Sequence, residues 1–221
     1  MSVLNAIWSN PLDNAIEIGL SSFFEMMPRA IKNIFISISA FGDNGIFYIL
    51  VGILLIFYLR SRKIGFTLIL GALCTLFIND LILKNIFSRA RPFQDPELVT
   101  QLVSVVNNGG VVYGIVPGSS SFPSGHTFTA FYVLGGIISL YSIDKENRRT
   151  YLAPLIFFSV FAFLMGFSRI LLSHHYFTDV LCGAFIGVSF GLLNYWIIKY
   201  LYKLGAFIKT KFDERKASEA K

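Results

Sequence analysis

The chain has 221 residues, of which 54% are hydrophobic and only 14% charged, and its mean hydropathy is +0.63. Such a balance excludes a soluble domain with a charged surface and describes a polytopic membrane protein. The net charge of +6 does not point to a nucleic-acid partner, because the basic residues fall in short clusters between apolar runs, the pattern of membrane topology.

In chain order, residues 11–27 mix apolar side chains with Asp13, Glu17 and Glu25, too polar to span and suited to an amphipathic helix at the interface. Nothing before them has the basic start and small-residue cleavage site of a signal peptide. A second segment from Pro28, carrying Arg29 and Lys32, ends at the turn Gly42-Asp43-Asn44-Gly45. Apolar runs follow at about 45–59, 64–87, 124–142, 150–172 and 177–202, each near the ~20 residues of a spanning helix. Cys74 and Cys182 lie inside such runs and read as packing residues. The expected fold is therefore all-α: a membrane helix bundle of about six transmembrane helices behind an N-terminal amphipathic helix. An interfacial segment would cover 1–27, the membrane domain 28–203 and a basic cytoplasmic tail 204–221.

Basic residues accumulate on the cytoplasmic side. The clusters Arg60-Ser61-Arg62-Lys63, Lys145 with Arg148-Arg149, and Lys203 to Lys216, together with Arg29 and Lys32, agree if both termini are cytoplasmic. Lys84, Arg89, Arg91 and Arg169 then lie near the extracytoplasmic face, where positive charge needs a reason; an anionic ligand supplies one. Within the 88–122 loop, Asn107-Asn108-Gly109-Gly110 and Gly118-Ser119-Ser120-Ser121 mark a long connection of the kind that carries function.

Three stretches concentrate chemistry. In Lys84-Asn85-Ile86-Phe87-Ser88-Arg89-Ala90-Arg91-Pro92 the two outer cations are seven residues apart, on one face if the helix continues to Pro92. Asp80 can pair with Lys84 one turn away, and Arg89 reads as a side chain snorkelling to lipid headgroups. In Ser121-Phe122-Pro123-Ser124-Gly125-His126-Thr127, Pro123 suits a first helical turn with Ser121 or Phe122 as cap. That turn would present N–H groups, a hydroxyl and an imidazole to a phosphate. In Ser168 to Asp179, Arg169 can hold an anion, His175 can attack it, and Asp179 can accept the imidazole's other N–H.

Lys84 with Arg91-Pro92, Pro123-Ser124-Gly125-His126, and Ser168-Arg169 with His175 and Asp179 resemble, in order, the three signature motifs of the type 2 phosphatidic acid phosphatase (PAP2) superfamily. The resemblance implies a transmembrane phosphatase domain over 28–203 that needs no metal and no cofactor. Lys84, Arg91 and Arg169 would clamp the phosphoryl oxygens, with Ser124 and the Gly125 N–H completing the cradle. His175 would form a phosphohistidine, oriented by Asp179, and His126 would protonate the leaving oxygen and then activate water. His174 falls outside the spacing. The expected substrate is a phosphorylated membrane lipid: undecaprenyl diphosphate first, phosphatidylglycerophosphate or phosphatidic acid next. Other readings are a phosphotransferase using the same site, a non-enzymatic lipid-binding or transport protein, and a vanadium-dependent haloperoxidase, against which the apolar spans argue. Headgroup selection is expected in residues 93–122 and the first segment.

Overall fold

The structure, a computed structural model, describes residues 10–58, 61–102 and 120–219. Its elements are helical throughout: α1 (Pro11–Met26), α2 (Arg29–Phe41), α3 (Ile46–Phe57) and α4 (Arg62–Cys74). The last of these runs through a π-helical stretch, Thr75–Leu83, into the short α5 (Lys84–Phe87). Then come α6 (Pro96–Val99), α7 (Gly125–Ile143), α8 (Arg148–Leu171), α9 (Phe177–Leu192) and α10 (Asn194–Glu219). Residues 103–119, which hold most of the loop assigned to headgroup selection, lie outside the described residues, as do Arg60 and the first nine residues.

The helical bundle behind an N-terminal helix agrees with expectation. Among the described residues, three helices are long and apolar enough to cross a membrane, or up to five crossings by length and composition if the bent pairs α2/α3 (67°) and α9/α10 (41°) each make one. With 13 and 12 residues, α2 and α3 each reach about 20 Å at ~1.5 Å per residue, against a hydrocarbon core of ~30 Å. Neither spans alone. The described terminal helices sit at opposite ends of the bundle. Asp13 of α1 contacts Thr178 at the start of α9, while Tyr202 of α10 packs edge-on against Phe66 near the start of α4, 5.9 Å between ring centres.

Helix α7 is the axis of the bundle, with 13 of its 19 residues buried. Its closest neighbour is α9, whose Gly183, Gly187 and Gly191 recur every four residues along one stripe. A Cβ at these positions would stand 2.6, 2.4 and 2.3 Å from the carbonyl oxygens of Ser124, Phe128 and Tyr132. Only glycine lets the backbones approach this far, as in other membrane helix pairs. This contact also fixes the start of α7 beside the start of α9, where the Ser124 N–H donates to the Asp179 carbonyl at 3.1 Å. We expect Gly187→Val to force the helices apart and destabilise the protein by about 1–3 kcal/mol or more, read as a lower melting temperature in detergent. An unchanged melting temperature would show that the contact is dispensable.

The far end of the bundle is tied by Asp144, which accepts from Lys63 Nζ and from the Tyr151 hydroxyl, both at 2.5 Å. The near end is covered by α1, whose polar side faces into the protein. Its buried residues are Asp13, Glu17, Ser21 and Phe24, whereas Leu12, Phe23 and Met26 are exposed. This inward stripe at i, i+4 and i+8 carries Asp13 to its charged partner Arg89.

Candidate active site

Four pieces of backbone meet at the end of the bundle that α1 covers. The first is the π-helical stretch leading into α5, where Lys84 Nζ lies 2.6 Å from Asp80 Oδ1, the pairing expected from their spacing. The helix does not continue to Pro92. It stops at Phe87, because Ser88 adopts the left-handed conformation (φ 43°) and its N–H closes on the Lys84 carbonyl at 3.1 Å. The strap that follows is pinned beside residues 120–121: the Arg89 N–H donates to Ser120 Oγ at 3.0 Å and the Ser121 N–H to the Arg89 carbonyl at 2.7 Å. Lys84 and Arg91 still line one cavity, although a turn rather than a helical face brings them together.

The second piece is the start of α7. Its N-cap is Ser124, whose Oγ faces Thr127 (2.9 Å to Oγ1, 3.5 Å to N), so Pro123 precedes the cap instead of occupying the first turn. The third is the end of α8 with the turn 172–176. The fourth is the start of α9, where Asp179 Oδ2 accepts the Tyr176 N–H at 2.9 Å.

These pieces enclose a cavity of about 450 Å³ lined by Lys84, Arg91, Arg169, His126, His175, Gly125, Asp43 and Asp80, with Ile49, Leu73 and Leu76 on its apolar side. Arg169 is buried in the end of α8, donates from Nη1 to Ser39 Oγ, and leaves Nε without a partner among the described residues. Arg91 donates from Nη1 to the His174 carbonyl at 2.9 Å and faces His175 Nε2 at 3.2 Å.

His175 is buried, and its Nδ1 lies 2.7 Å from the Ser121 carbonyl. That carbonyl can only accept, so Nδ1 carries the proton and Nε2 presents a lone pair to the cavity. Burial, helped by the positive charges of Arg91, Arg169, Lys84 and His126, pushes the imidazole's pKa well below its ordinary value of 6.5, so the ring is neutral. His174 is lowered in the same way, first by burial and then by Arg169 and Arg91. The expected bond from His175 to Asp179 takes a different form. Asp179 Oδ2 is 3.7 Å from Nδ1, and Ser121 stands between them, donating from Oγ to Asp179 Oδ2 at 2.5 Å.

His126 pairs through Nε2 with Asp43 Oδ1 at 2.9 Å. The ring is seated against Gly42, where a Cβ would come within 2.3 Å of its Cδ2. Of the eight site residues expected from sequence, Lys84, Arg91, Gly125, His126, Arg169 and His175 line the cavity. Asp179 stands behind His175, and Ser124 is a buried cap turned toward Thr127. Arg89 corrects its reading: it is buried between Asp13 and Asp179 and reaches no headgroup. Sequence reasoning also missed Asp43, hidden in an ordinary turn signal, as well as Ser121 and Asp13. An acid on an interfacial helix gives no local sign that it points inward.

Three cations, a helix start and two imidazoles line one cavity, an arrangement chemically able to hold a tetrahedral oxyanion. Among the described residues no three His, Cys, Asp or Glu side chains converge to hold a metal ion. The chain belongs to the PAP2 superfamily, whose sequence profile matches residues 60–203. It is 35% identical over 85 residues to a lipid A 1-phosphatase of Porphyromonas gingivalis, covering 38% of this chain and 18% of that protein. It is 33% identical over 154 residues to the probable lipid phosphate phosphatase 4 of Arabidopsis thaliana, covering 62% and 48%. The chain thus spans less than half of either relative. Its fold matches the crystal structure of a transmembrane PAP2 type phosphatidylglycerolphosphate phosphatase from Bacillus subtilis, with a TM-score of 0.56 at 23% identity, covering 91% of both chains.

Proposed function

We propose that the chain is an integral membrane phosphatase that hydrolyses a phosphate or diphosphate ester of a lipid through a phosphohistidine. The observation that carries this reading is the neutral His175, with Nε2 aimed into a cavity that also holds Lys84, Arg91 and Arg169. Phosphoryl transfer needs positioning and neutralisation of spread negative charge, and three cations with the Gly125 end of α7 supply both. Nε2 attacks phosphorus, the P–O bond to the lipid breaks, and His126 gives the leaving oxygen a proton. A water deprotonated by His126 then breaks the P–N bond and frees phosphate. Ser124 joins the cradle only by turning its Oγ away from Thr127.

The lipid we favour first is undecaprenyl diphosphate, followed by phosphatidylglycerophosphate and phosphatidic acid. The deciding experiment is phosphate release in detergent micelles, in EDTA, from these three lipids and a soluble phosphomonoester. Fast turnover of one lipid with EDTA present is expected, and strict Mg²⁺ dependence would overturn the mechanism. Transfer of the phosphoryl group to a second lipid without release would make the protein a phosphotransferase.

The face of the membrane follows from charge. Arg62, Lys63, Lys145, Arg148 and Arg149 lie at the end away from the cavity, which supports a cytoplasmic far end and an extracytoplasmic site. With the native cysteines replaced, Gln94→Cys should react with an impermeant thiol reagent added to intact cells and Asn147→Cys should not. The reverse result would place the site in the cytoplasm.

A further inference from the structure

Three charged side chains are buried beside the cavity without lining it. Asp13 of α1 is fully buried and accepts from the Thr178 N–H at 3.0 Å, from Thr178 Oγ1 at 2.6 Å and from Arg89 Nη2 at 2.8 Å. The other arm of Arg89, Nη1, reaches Asp179 Oδ1 at 2.5 Å, and the guanidinium sits 4.0 Å from the centre of the Tyr176 ring. The second oxygen of Asp179 receives Ser121 Oγ, which lies against His175. A charge relay therefore runs from the covering helix α1 through Arg89, Asp179 and Ser121 to the imidazole. Buried ion clusters of this kind contribute little net stability compared with apolar packing. Stability alone is a weak reason for this one.

We propose that Asp13, acting through Arg89, is a positioning residue for catalysis: it fixes Asp179 behind His175 and keeps the buried cluster negative when the imidazole becomes cationic. The proposal rests on His175 being the nucleophile. When Nε2 bonds to phosphorus while Nδ1 keeps its proton, the ring acquires a full positive charge. Arg91, Arg169, Lys84 and His126 surround it with positive or potentially positive groups, and the neutral His174 adjoins it. Among the described residues, Asp179, Asp13 and Glu17 place carboxyls on this side of the ring, and burial pushes the Glu17 pKa well above its ordinary 4.5, which disfavours charge there. With both aspartates ionised, the Asp13–Arg89–Asp179 cluster carries a net charge of −1. Without Asp13, Arg89 would cancel Asp179.

The cluster makes a prediction about sign that a loosened helix cannot imitate. Asp13→Asn takes the cluster from −1 to neutral, so His175 should become harder to protonate and titrate lower than in the wild type. Arg89→Gln takes it to −2, and His175 should titrate higher. Water entering through an undocked α1 would instead move both toward the ordinary, higher value.

The chain has only three histidines, so ¹⁵N-histidine labelling of the full protein in micelles can follow His175, with His175→Ala assigning its signals. Alongside, kcat and KM are measured on the lipid that the wild type turns over. Asp13→Asn should lower kcat about 10- to 100-fold with KM within about threefold, because the phosphate cradle is untouched. Glu25→Gln, which breaks only the peripheral pair of α1 with Lys32, should keep wild-type kcat and titration. The proposal is overturned if Asp13→Asn raises the His175 titration or leaves it in place, or if kcat stays within threefold of wild type. Failure of the underlying reading looks different: His175→Ala would release phosphate normally. The histidine titrations would then still decide whether the cluster sets the charge at His175.

Discussion

His175→Ala is expected to insert and fold like the wild type yet release no phosphate, a loss of about 10⁴-fold or more, as for the removal of a covalent nucleophile. The expectation rests on geometry that no neighbour reproduces. Nδ1 is committed to the Ser121 carbonyl, and Nε2 alone faces Arg91 and the cavity. His174 adjoins it in sequence but does not line the cavity, so it cannot substitute. The same depressed pKa predicts the acid side of the pH profile. Catalysis by the free enzyme needs the neutral ring, so kcat/KM should hold at neutral pH and fall only as pH drops through a value below the ordinary 6.5. Two results would remove the phosphohistidine: substantial turnover by the alanine variant, or an acid limb with its midpoint above pH 7.

Much of this site could be read from the sequence because its chemistry is local in the chain. Arg169, His175 and Asp179 lie within three helical turns, and Pro123 to His126 announce a helix start whatever the tertiary context. What stayed hidden depends on contacts between distant segments. Asp43 reads as turn punctuation until Gly42 lets α7 bring His126 against it. Arg89 looks like a snorkelling side chain because its partners, Asp13 and Asp179, are 76 and 90 residues away. The inward turn of Asp13 and Glu17 on α1 is equally hidden, because an amphipathic pattern does not say which of its faces meets the protein. The 67° bend between α2 and α3 is likewise invisible in the apolar composition of residues 28–57.

His126→Ala should fail differently from His175→Ala, and the difference tests the division of labour between the two histidines. With a lipid substrate the leaving alkoxide or phosphate needs a proton, so removal of the acid should cost about 10²- to 10⁴-fold in kcat. With an aryl phosphate, whose leaving group departs without protonation, attack by His175 should survive. Hydrolysis of the P–N bond still lacks its base, so the variant should accumulate an alkali-stable, acid-labile phosphoenzyme. Wild type should show little of this species and His175→Ala none. Asp43 enters because its carboxylate holds the Nε2 side of His126, leaving Nδ1 to exchange the proton with substrate and then with water. Asp43→Asn keeps the shape but weakens the stabilisation of a protonated ring, so a smaller loss of about tenfold is expected, again larger for the lipid than for the aryl ester. Gly42→Ala pushes a methyl group into the ring and should displace His126 from its seat, imitating its removal. If His126→Ala lowers both substrates equally and no phosphoenzyme builds up, His126 only shapes the phosphate site, and the proton must come from elsewhere in the cavity.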